Sequence, residues 1–137
     1  MHRRTLLLTL VAALVTLFAL SSTGCKSKKT LDADVDHLLV AIARSDYEHF
    51  KADAHPALVN EVSKDEFESM AMVLKRLGPL KSKTMKSISV RQGAPTEGQY
   101  DMEFENGSCS LAIKSLDGKL VGFHFEGPDI KRLQNAP

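Results

Sequence analysis

The sequence predicts one α+β domain, in which about three N-terminal helices pack on one face of a curved four-stranded antiparallel sheet. Apolar residues recur at spacings of three and four before residue 78, which is typical of helices with one buried side. They alternate with polar residues from Tyr100 to Phe125, which is typical of strands with one buried face. Helices that all precede the strands indicate segregated layers, so the class is α+β.

The first 24 residues have the pattern of an export signal. Arg3 and Arg4 precede an apolar run from Thr5 to Leu20, which is short for a membrane span. The small residues before Cys25 resemble the lipobox of bacterial lipoproteins, although Ser22 stands where that family usually has leucine. This resemblance implies that Cys25 is lipidated, becomes the mature N-terminus and holds the protein on a bilayer.

The resemblance also implies a location in the bacterial cell envelope. Lys26 follows the cysteine where inner-membrane lipoproteins have aspartate, which resembles the pattern for the periplasmic face of the outer membrane in double-membraned bacteria. Removal of residues 1–24 leaves 113 residues with 16 basic and 17 acidic side chains. That balance provides no electrostatic basis for nucleic-acid binding. Residues 25–30 are expected to be a polar tether, whose lysines either approach lipid headgroups or form a solvated spacer.

Three helices are expected between residues 30 and 78. Thr30 caps the first, with three aspartates near its positive end and a stripe formed by Val35, Leu38, Leu39 and Ile42. Ser45 and Glu48 predict a capping box for a short second helix that His55-Pro56 ends. Ser63 and Glu66 predict another box for a longer helix that ends at Gly78-Pro79. Residues 53–61 are expected to be a loop.

Turn chemistry and the apolar pattern predict the strand register. A first strand is expected over residues 81–92 with Ile88 and Val90 inward. Asn106-Gly107 suits a two-residue type I′ turn that sets Phe104, Met102 and Tyr100 opposite Cys109, Leu111 and Ile113. At the next turn, a two-residue loop at Asp117-Gly118 spoils the apolar face. A three-residue loop that includes Leu116 instead pairs Ile113, Leu111 and Cys109 with Val121, Phe123 and Phe125.

The domain is expected to span residues 31–128, with a tail at 129–137 that Ile130 and Leu133 hold down. The segments SDYEHF, LKRLGPLKS, FENGS and LDGKLVGFHF resemble small bacterial lipoproteins with a nuclear-transport-factor-2-like, or cystatin-like, domain. That fold family includes enzymes, ligand binders and association modules, so the resemblance does not select a function.

Two candidate sites follow from the predicted sheet. The helix-sheet cone is expected to be lined by Phe67, Met70, Tyr100, Met102, Leu111 and Phe123. The opposite, open face is expected to present a partner surface formed by Glu103, Ser110, Leu120 and His124. Among nine inward strand positions only Tyr100 and Cys109 carry polar atoms, which argues against catalysis in the cone.

No catalytic or metal site is assigned, and no cofactor is expected. Glu103, Ser110 and His124 form a row in which serine, rather than the imidazole, stands in the middle, so a triad is disfavoured. Asp46, His49 and Asp53 lie at i, i+3 and i+7 on one helix face, with His55 near, and their residue types could suit zinc, but no fixed pair such as HExxH is present. Cys109 is expected to be a buried, unreactive thiol.

The predicted function is therefore that of a lipid-anchored envelope module that acts by protein association. Its surfaces are the open sheet face and the 53–61 loop. The alternative is a carrier of a small apolar ligand in the cone. An envelope enzyme is the third hypothesis, and it requires His37 or His49 to turn toward the sheet.

Overall fold

A computed structural model describes residues 25–137, and the predicted export signal at 1–24 lies outside the described residues. The helices are α1 (25–44 in the described part), α2 (Tyr47–Asp53), α3 (Pro56–Glu61), α4 (Lys64–Arg76) and α5 (Pro128–Gln134). The strands are β1 (Leu80–Ser89), β2 (Thr96–Phe104), β3 (Gly107–Leu116) and β4 (Lys119–Glu126). They form one antiparallel sheet in the order β1-β2-β3-β4. The predicted α+β class is confirmed, and residues 25–137 contain five helices instead of about three.

Helix α1 lies over the sheet and begins earlier than predicted. Residues 25–30, expected to be an irregular tether, are helical and continuous with the rest of α1. The predicted stripe is buried at Val35, Leu38 and Ile42, with Leu31 and Ala41. A side chain on Gly98 of β2 would place its Cβ 2.4 Å from Leu31 Cδ2, so the helix approaches the sheet where this glycine leaves room.

The junction between α1 and α2 uses a cap that differs from the predicted one. Ser45 has a φ of 50°. Its N–H donates to Ile42 O at 3.0 Å, and Asp46 N–H donates to Ala41 O at 2.8 Å. These two bonds form a Schellman motif that ends α1. Ser45 is thus the C′ residue of α1, and Asp46 caps α2 by accepting from His49 N–H at 3.0 Å.

The segment between α2 and α4 is not an open loop. Pro56 begins α3 in the first helical position, where its missing N–H is not needed, and Leu58 is buried. The Ser63–Glu66 capping box of α4 is confirmed: Ser63 Oγ accepts from Glu66 N–H, and Glu66 Oε2 accepts from Ser63 N–H at 2.8 Å. The backbone N–H and the hydroxyl of Ser63 both donate to the Glu66 carboxylate, and these hydrogen bonds lower the pKa of Glu66.

The β2–β3 hairpin keeps the predicted inward face but shifts its register by two residues. Phe104 pairs with Gly107, Met102 with Cys109 and Tyr100 with Leu111. The loop is therefore Glu105-Asn106, and neither of these residues has positive φ, so the type I′ prediction is wrong. Their N–H groups donate to Pro79 O at 3.0 Å and Leu77 O at 2.8 Å, and these bonds to the end of α4 fix the turn.

The β3–β4 hairpin uses the two-residue loop that the apolar pattern disfavoured. Asp117 and Gly118 have φ of 50° and 73°, and Leu116 pairs with Lys119. Ser115 then pairs with Leu120 but Lys114 with Gly122, which leaves Val121 as a one-residue bulge. The bulge moves Phe123 opposite Ile113 and Phe125 opposite Leu111. Leu120, rather than Val121, is the buried residue after the turn.

Strand β1 is an irregular edge. Lys81 and Lys86 are not opposite any β2 residue in the backbone ladder and form its two interruptions. Ile88 pairs with Gly98 in the inward row, as predicted, but Ile88 and Val90 are 37% and 46% exposed, so neither is a core residue. Met85 packs against the core instead. Bulges and lysines on an edge strand oppose pairing with another chain.

The core lies between the helices and the inward residues of β2–β4. An aromatic cluster fills one end, with ring centroids of Phe50 and Phe67 5.0 Å apart and of Phe50 and Phe123 5.8 Å apart. The expected tail forms α5, which Ile130 and Leu133 hold against the core as predicted. Asp129 Oδ2 of α5 also accepts from Ser108 N–H at 3.0 Å.

Candidate functional site

A groove of about 350 Å³ crosses the face of the sheet opposite the helices. One row of paired residues forms its base, with Ser87 opposite Gln99, Gln99 opposite Ala112, and Ala112 opposite His124. Gly122 and Ala112 present little or no side chain, so they leave room between the longer side chains of Gln99 and His124. Its volume is near the lower limit of pockets that hold small molecules, roughly 300–1,000 Å³.

Two strand irregularities adjoin this groove. Ser87 directly follows the unpaired Lys86 of β1, and Gly122 directly follows the unpaired Val121 of β4. A bulge bends its strand and increases the local twist. Because the two bulges lie on the outer strands, we attribute the concave shape of this part of the sheet to them.

The rim of the groove carries charges of both signs. Lys114 Nζ lies 3.0 Å from Glu97 Oε1, with both side chains about half exposed. His124 Nε2 lies 3.9 Å from Glu126 Oε2, and both groups are well exposed. Such exposed pairs contribute little to stability, so the charges of Lys114 and Glu97 remain available for a partner.

The four predicted partner-face residues are only partly brought together. Glu103, Ser110 and His124 lie on the outer face, but His124 is the only one of them in the groove. Leu120 is 3% exposed and packs in the core, so its assignment to this face is wrong. The bulge at Val121 is the physical reason, because it reverses the side of every β4 residue before it.

The triad-like row is also absent, because the register differs from the predicted one. Glu103 lies opposite Ser108, and Ser110 lies opposite Asp101 and Glu126. Ser110 Oγ is 3.4 Å from Asp101 Oδ1, and the imidazole of His124 lies in another row.

The predicted cone residues form a packed interior. Phe67, Tyr100, Met102 and Leu111 are each at most 1% exposed and belong to one hydrophobic cluster, with Met70 and Phe123 partly buried beside it. A ligand among them would have to displace side chains that contact one another.

Three aspartates of α1 bond to three strands, a feature that the sequence reasoning interpreted only as helix-end charge. Tyr100 OH donates to Asp32 Oδ1 at 2.7 Å, Ser115 Oγ donates to Asp34 Oδ2, and Lys83 Nζ pairs with Asp36. The longer α1 places these aspartates away from its start. The signal that was missed is the presence of the polar residues Tyr100, Ser115 and Lys83 at inward strand positions, where each needs a partner.

The Asp32–Tyr100 contact perturbs both groups. Burial, together with the hydrogen bond to Asp32, raises the pKa of Tyr100. Burial alone would raise the pKa of Asp32, but bonds from Tyr100 and Lys28 and the charges of Lys28 and Lys83 lower it on balance. The tyrosine thus remains a neutral donor to a carboxylate, which suits a structural link better than proton transfer.

His37 and His49 lie between α1 and α2, where His37 is exposed and the Nε2 atom of His49 is buried. His37 Nδ1 and His49 Nε2 are each 3.5 Å from Asp53 Oδ2. His55 Nδ1 accepts from Ala57 N–H at 3.2 Å, and Asp46 is engaged as a cap. Within residues 25–137 no three His, Cys, Asp or Glu side chains are placed to hold a metal ion. The space beside His37 and Asp53 measures only about 10 Å³.

The two cysteines have opposite environments. Cys25 is exposed at the first described residue of α1, and Cys109 is buried. Burial and the charge of Asp129 raise the pKa of the Cys109 thiol to about 11.

Among residues 25–137, none of the helices combines the length and the apolar character that a membrane span needs.

Comparison with models of protein families, with curated proteins and with solved structures finds no match for this chain.

Proposed function

We propose that this protein is a lipid-anchored module of the bacterial cell envelope that binds another envelope protein through the outer face of its sheet. It has no catalytic role in this proposal. The groove formed by Ser87, Gln99, Ala112 and His124 is the observation that carries it. Cys25 supplies the anchor and is exposed, as acylation requires.

The two faces of the sheet differ in how much of their surface is accessible to a partner. The inner face is covered by helices and filled by side chains such as Phe67 and Leu111. The outer face has no covering element among the described residues, and its groove exposes apolar surface between hydrogen-bonding groups. Interfaces that bind proteins combine such an apolar centre with a polar rim.

The chemistry of the groove defines the partner segment. Ala112 and Gly122 at its base fit an apolar side chain, and the Gln99 amide and His124 imidazole can bond to polar groups beside it. The Glu97–Lys114 pair favours a neutral or mixed-charge segment, because it offers both signs at one edge. Addition of a partner strand to β1 is disfavoured by its lysines and interruptions.

The proposal is tested by filling the groove. Ala112→Arg places a long charged side chain at its centre, and Ala112 is only partly buried, so the fold is expected to tolerate the change. Tagged full-length protein and this variant are crosslinked in intact cells, captured, and analysed by mass spectrometry. A protein recovered in near-equal amount with the parent chain, and lost with Ala112→Arg, supports the proposal.

A matched control separates the groove from a general effect of added charge. Met72→Arg adds the same side chain on α4, where Met72 is 61% exposed. Both variants should have the parent's thermal midpoint and acylation. Recovery of the same partner with Ala112→Arg as with Met72→Arg would refute the groove as the binding site.

A carrier of a small apolar ligand in the cone remains the alternative hypothesis. It requires the packed interior around Tyr100 and Met102 to open. Native mass spectrometry of the protein released gently from membranes tests this, because a retained ligand adds a defined mass that denaturation removes.

A further inference from the structure

Three separate segments meet at the end of the domain that carries Cys25. Lys26 and Thr30 of α1 line one cleft with Thr96 of β2 and with Gly118 of the β3–β4 turn. Thr96 directly follows the loop at 90–95, so this loop lies at the same end. We call the first turns of α1 (25–31), the 90–95 loop and the Asp117-Gly118 turn the anchor end.

The anchor end exposes apolar side chains beside the start of α1. Ile88 pairs with Gly98, and Gly98 lies against Leu31 of α1. Ile88 and Val90 are 37% and 46% exposed although both are β-branched aliphatic residues. The sequence pattern suggested that they are core residues, but each keeps more than a third of its surface exposed.

The charges of the anchor end are mostly positive. Lys26, Lys28, Lys29 and Arg91 are exposed there, against the carboxylates of Asp32 and Asp117. Lys28 pairs with Asp32 at 3.3 Å, whereas Lys26, Lys29 and Arg91 form no ion pair with another described residue. Basic side chains close to an anionic bilayer are attracted to its headgroups.

We propose that the anchor end is a membrane-docking surface for an anionic lipid bilayer. The inference rests on the anchoring in the proposed function and extends it. Lipid on Cys25 brings this end to the bilayer, the three unpaired basic residues contact anionic headgroups, and Val90 enters the interfacial layer. Because α1 is helical from residue 25, docking fixes the orientation of the domain and holds the groove beside the membrane.

The test uses tryptophan fluorescence, since the chain contains no tryptophan. Val90→Trp places a reporter at the anchor end. Leu80→Trp is the matched control, because Leu80 is also exposed, at 39%, and lies at the opposite end of β1. The two reporters are ten residues of extended chain apart, which is about 30 Å. Full-length protein is purified from cells and reconstituted into anionic vesicles with ordinary or brominated lipid.

We expect brominated lipid to remove most of the Val90→Trp fluorescence and to leave most of the Leu80→Trp fluorescence. In vesicles of zwitterionic lipid the loss at Val90→Trp should be smaller. Addition of Arg91→Glu to the Val90→Trp chain should reduce the loss in anionic vesicles, because it reverses one of the three charges.

Mass spectrometry of the same preparations separates the two proposals. Acyl chains on Cys25 with equal fluorescence loss at both reporters overturn the docking surface and leave the anchor intact. An unmodified Cys25 with selective loss at Val90→Trp refutes the proposed anchor and supports docking. An unmodified Cys25 without selective loss overturns both.

Discussion

At the scale of single residues, the bond from Tyr100 to Asp32 joins the middle of β2 to α1. Tyr100 is 1% exposed, whereas the Asp32 side chain keeps 31% of its surface in contact with solvent. Loss of the hydroxyl would leave the carboxylate partly hydrated, so the cost is limited to one charge-assisted hydrogen bond.

Tyr100→Phe should lower the free energy of unfolding by about 1–2 kcal/mol at pH 7. The pKa of Asp32 is lower in the folded protein than in the unfolded chain, so its stabilising effect is present above about pH 4 and disappears as the pH falls through the folded value. The difference between parent and variant should therefore shrink below pH 4. Urea unfolding from pH 3 to 7 measures it, and Asp32→Ala, which removes the acceptor, should remove most of the effect of Tyr100→Phe.

Cys109 is expected to resist alkylation in the folded protein. Its pKa of about 11, raised by burial and by Asp129, leaves little thiolate at pH 8, and the thiol is 5% exposed. Maleimide labelling of a Cys25→Ser variant, followed by mass spectrometry, should proceed only as fast as the protein unfolds. Rapid labelling without denaturant would contradict this prediction.

At the scale of elements, the end of α1 depends on Ser45 in the left-handed region. This conformation costs a non-glycine residue about 1 kcal/mol, whereas glycine adopts it freely. Ser45 Oγ also accepts a 2.7 Å hydrogen bond from Lys75 Nζ, which any substitution without a side-chain acceptor removes.

Ser45→Gly should therefore be more stable than Ser45→Ala by about 1 kcal/mol, because both lose the bond to Lys75 and only glycine relieves the backbone. Thermal unfolding of the two variants measures the difference. Equal midpoints would indicate that the left-handed conformation is not maintained at the end of α1.

The strands and turns show which features of the fold can be predicted from the sequence. Alternation correctly predicted which residues of β2 and β3 point inward, because a register error of two residues conserves the face. It did not predict the Glu105-Asn106 turn, since that turn depends on bonds to Leu77 and Pro79 from another element. The apolar pattern disfavours the Asp117-Gly118 turn only for a continuous β4, and no local pattern marks Val121 as a bulge.

At the scale of the whole molecule, α1 is part of the folded domain rather than an extension of it. Leu31, Val35, Leu38 and Ala41 are each at most 3% exposed against the sheet. The aspartates of α1 add links to β1, β2 and β3. Anchor and domain are consequently connected through a packed helix.

Hydrogen exchange should detect this connection. Amides of residues 35–44 should exchange only on global unfolding, with the same free energy as the core of β3, whereas residues 25–30 should exchange much faster. Exchange of the whole of α1 well before β3 would mean that the helix detaches, and the orientation proposed for the membrane would then be lost. Peptide-level mass spectrometry resolves these segments.

The groove was only partly predictable from the sequence. His124 was placed on the correct face because Phe123 and Phe125 flank it at inward positions. Gln99, Ala112 and Gly122 were not singled out, because small and uncharged residues on a strand carry no distinctive signal. The concavity depends on two bulges, and the sequence predicted neither.

Because of its one-residue bulge, β4 contains one residue more than its hydrogen-bonded pairing with β3 requires. Without Val121, Leu120 and Gly122 would be consecutive and would still face Ser115 and Lys114. Phe123 and Phe125 would keep their positions as well. Deletion of Val121 should therefore keep the β3–β4 pairing intact and remove the curvature beside Gly122. It offers a separation-of-function allele, in which the protein remains folded and the groove is flattened.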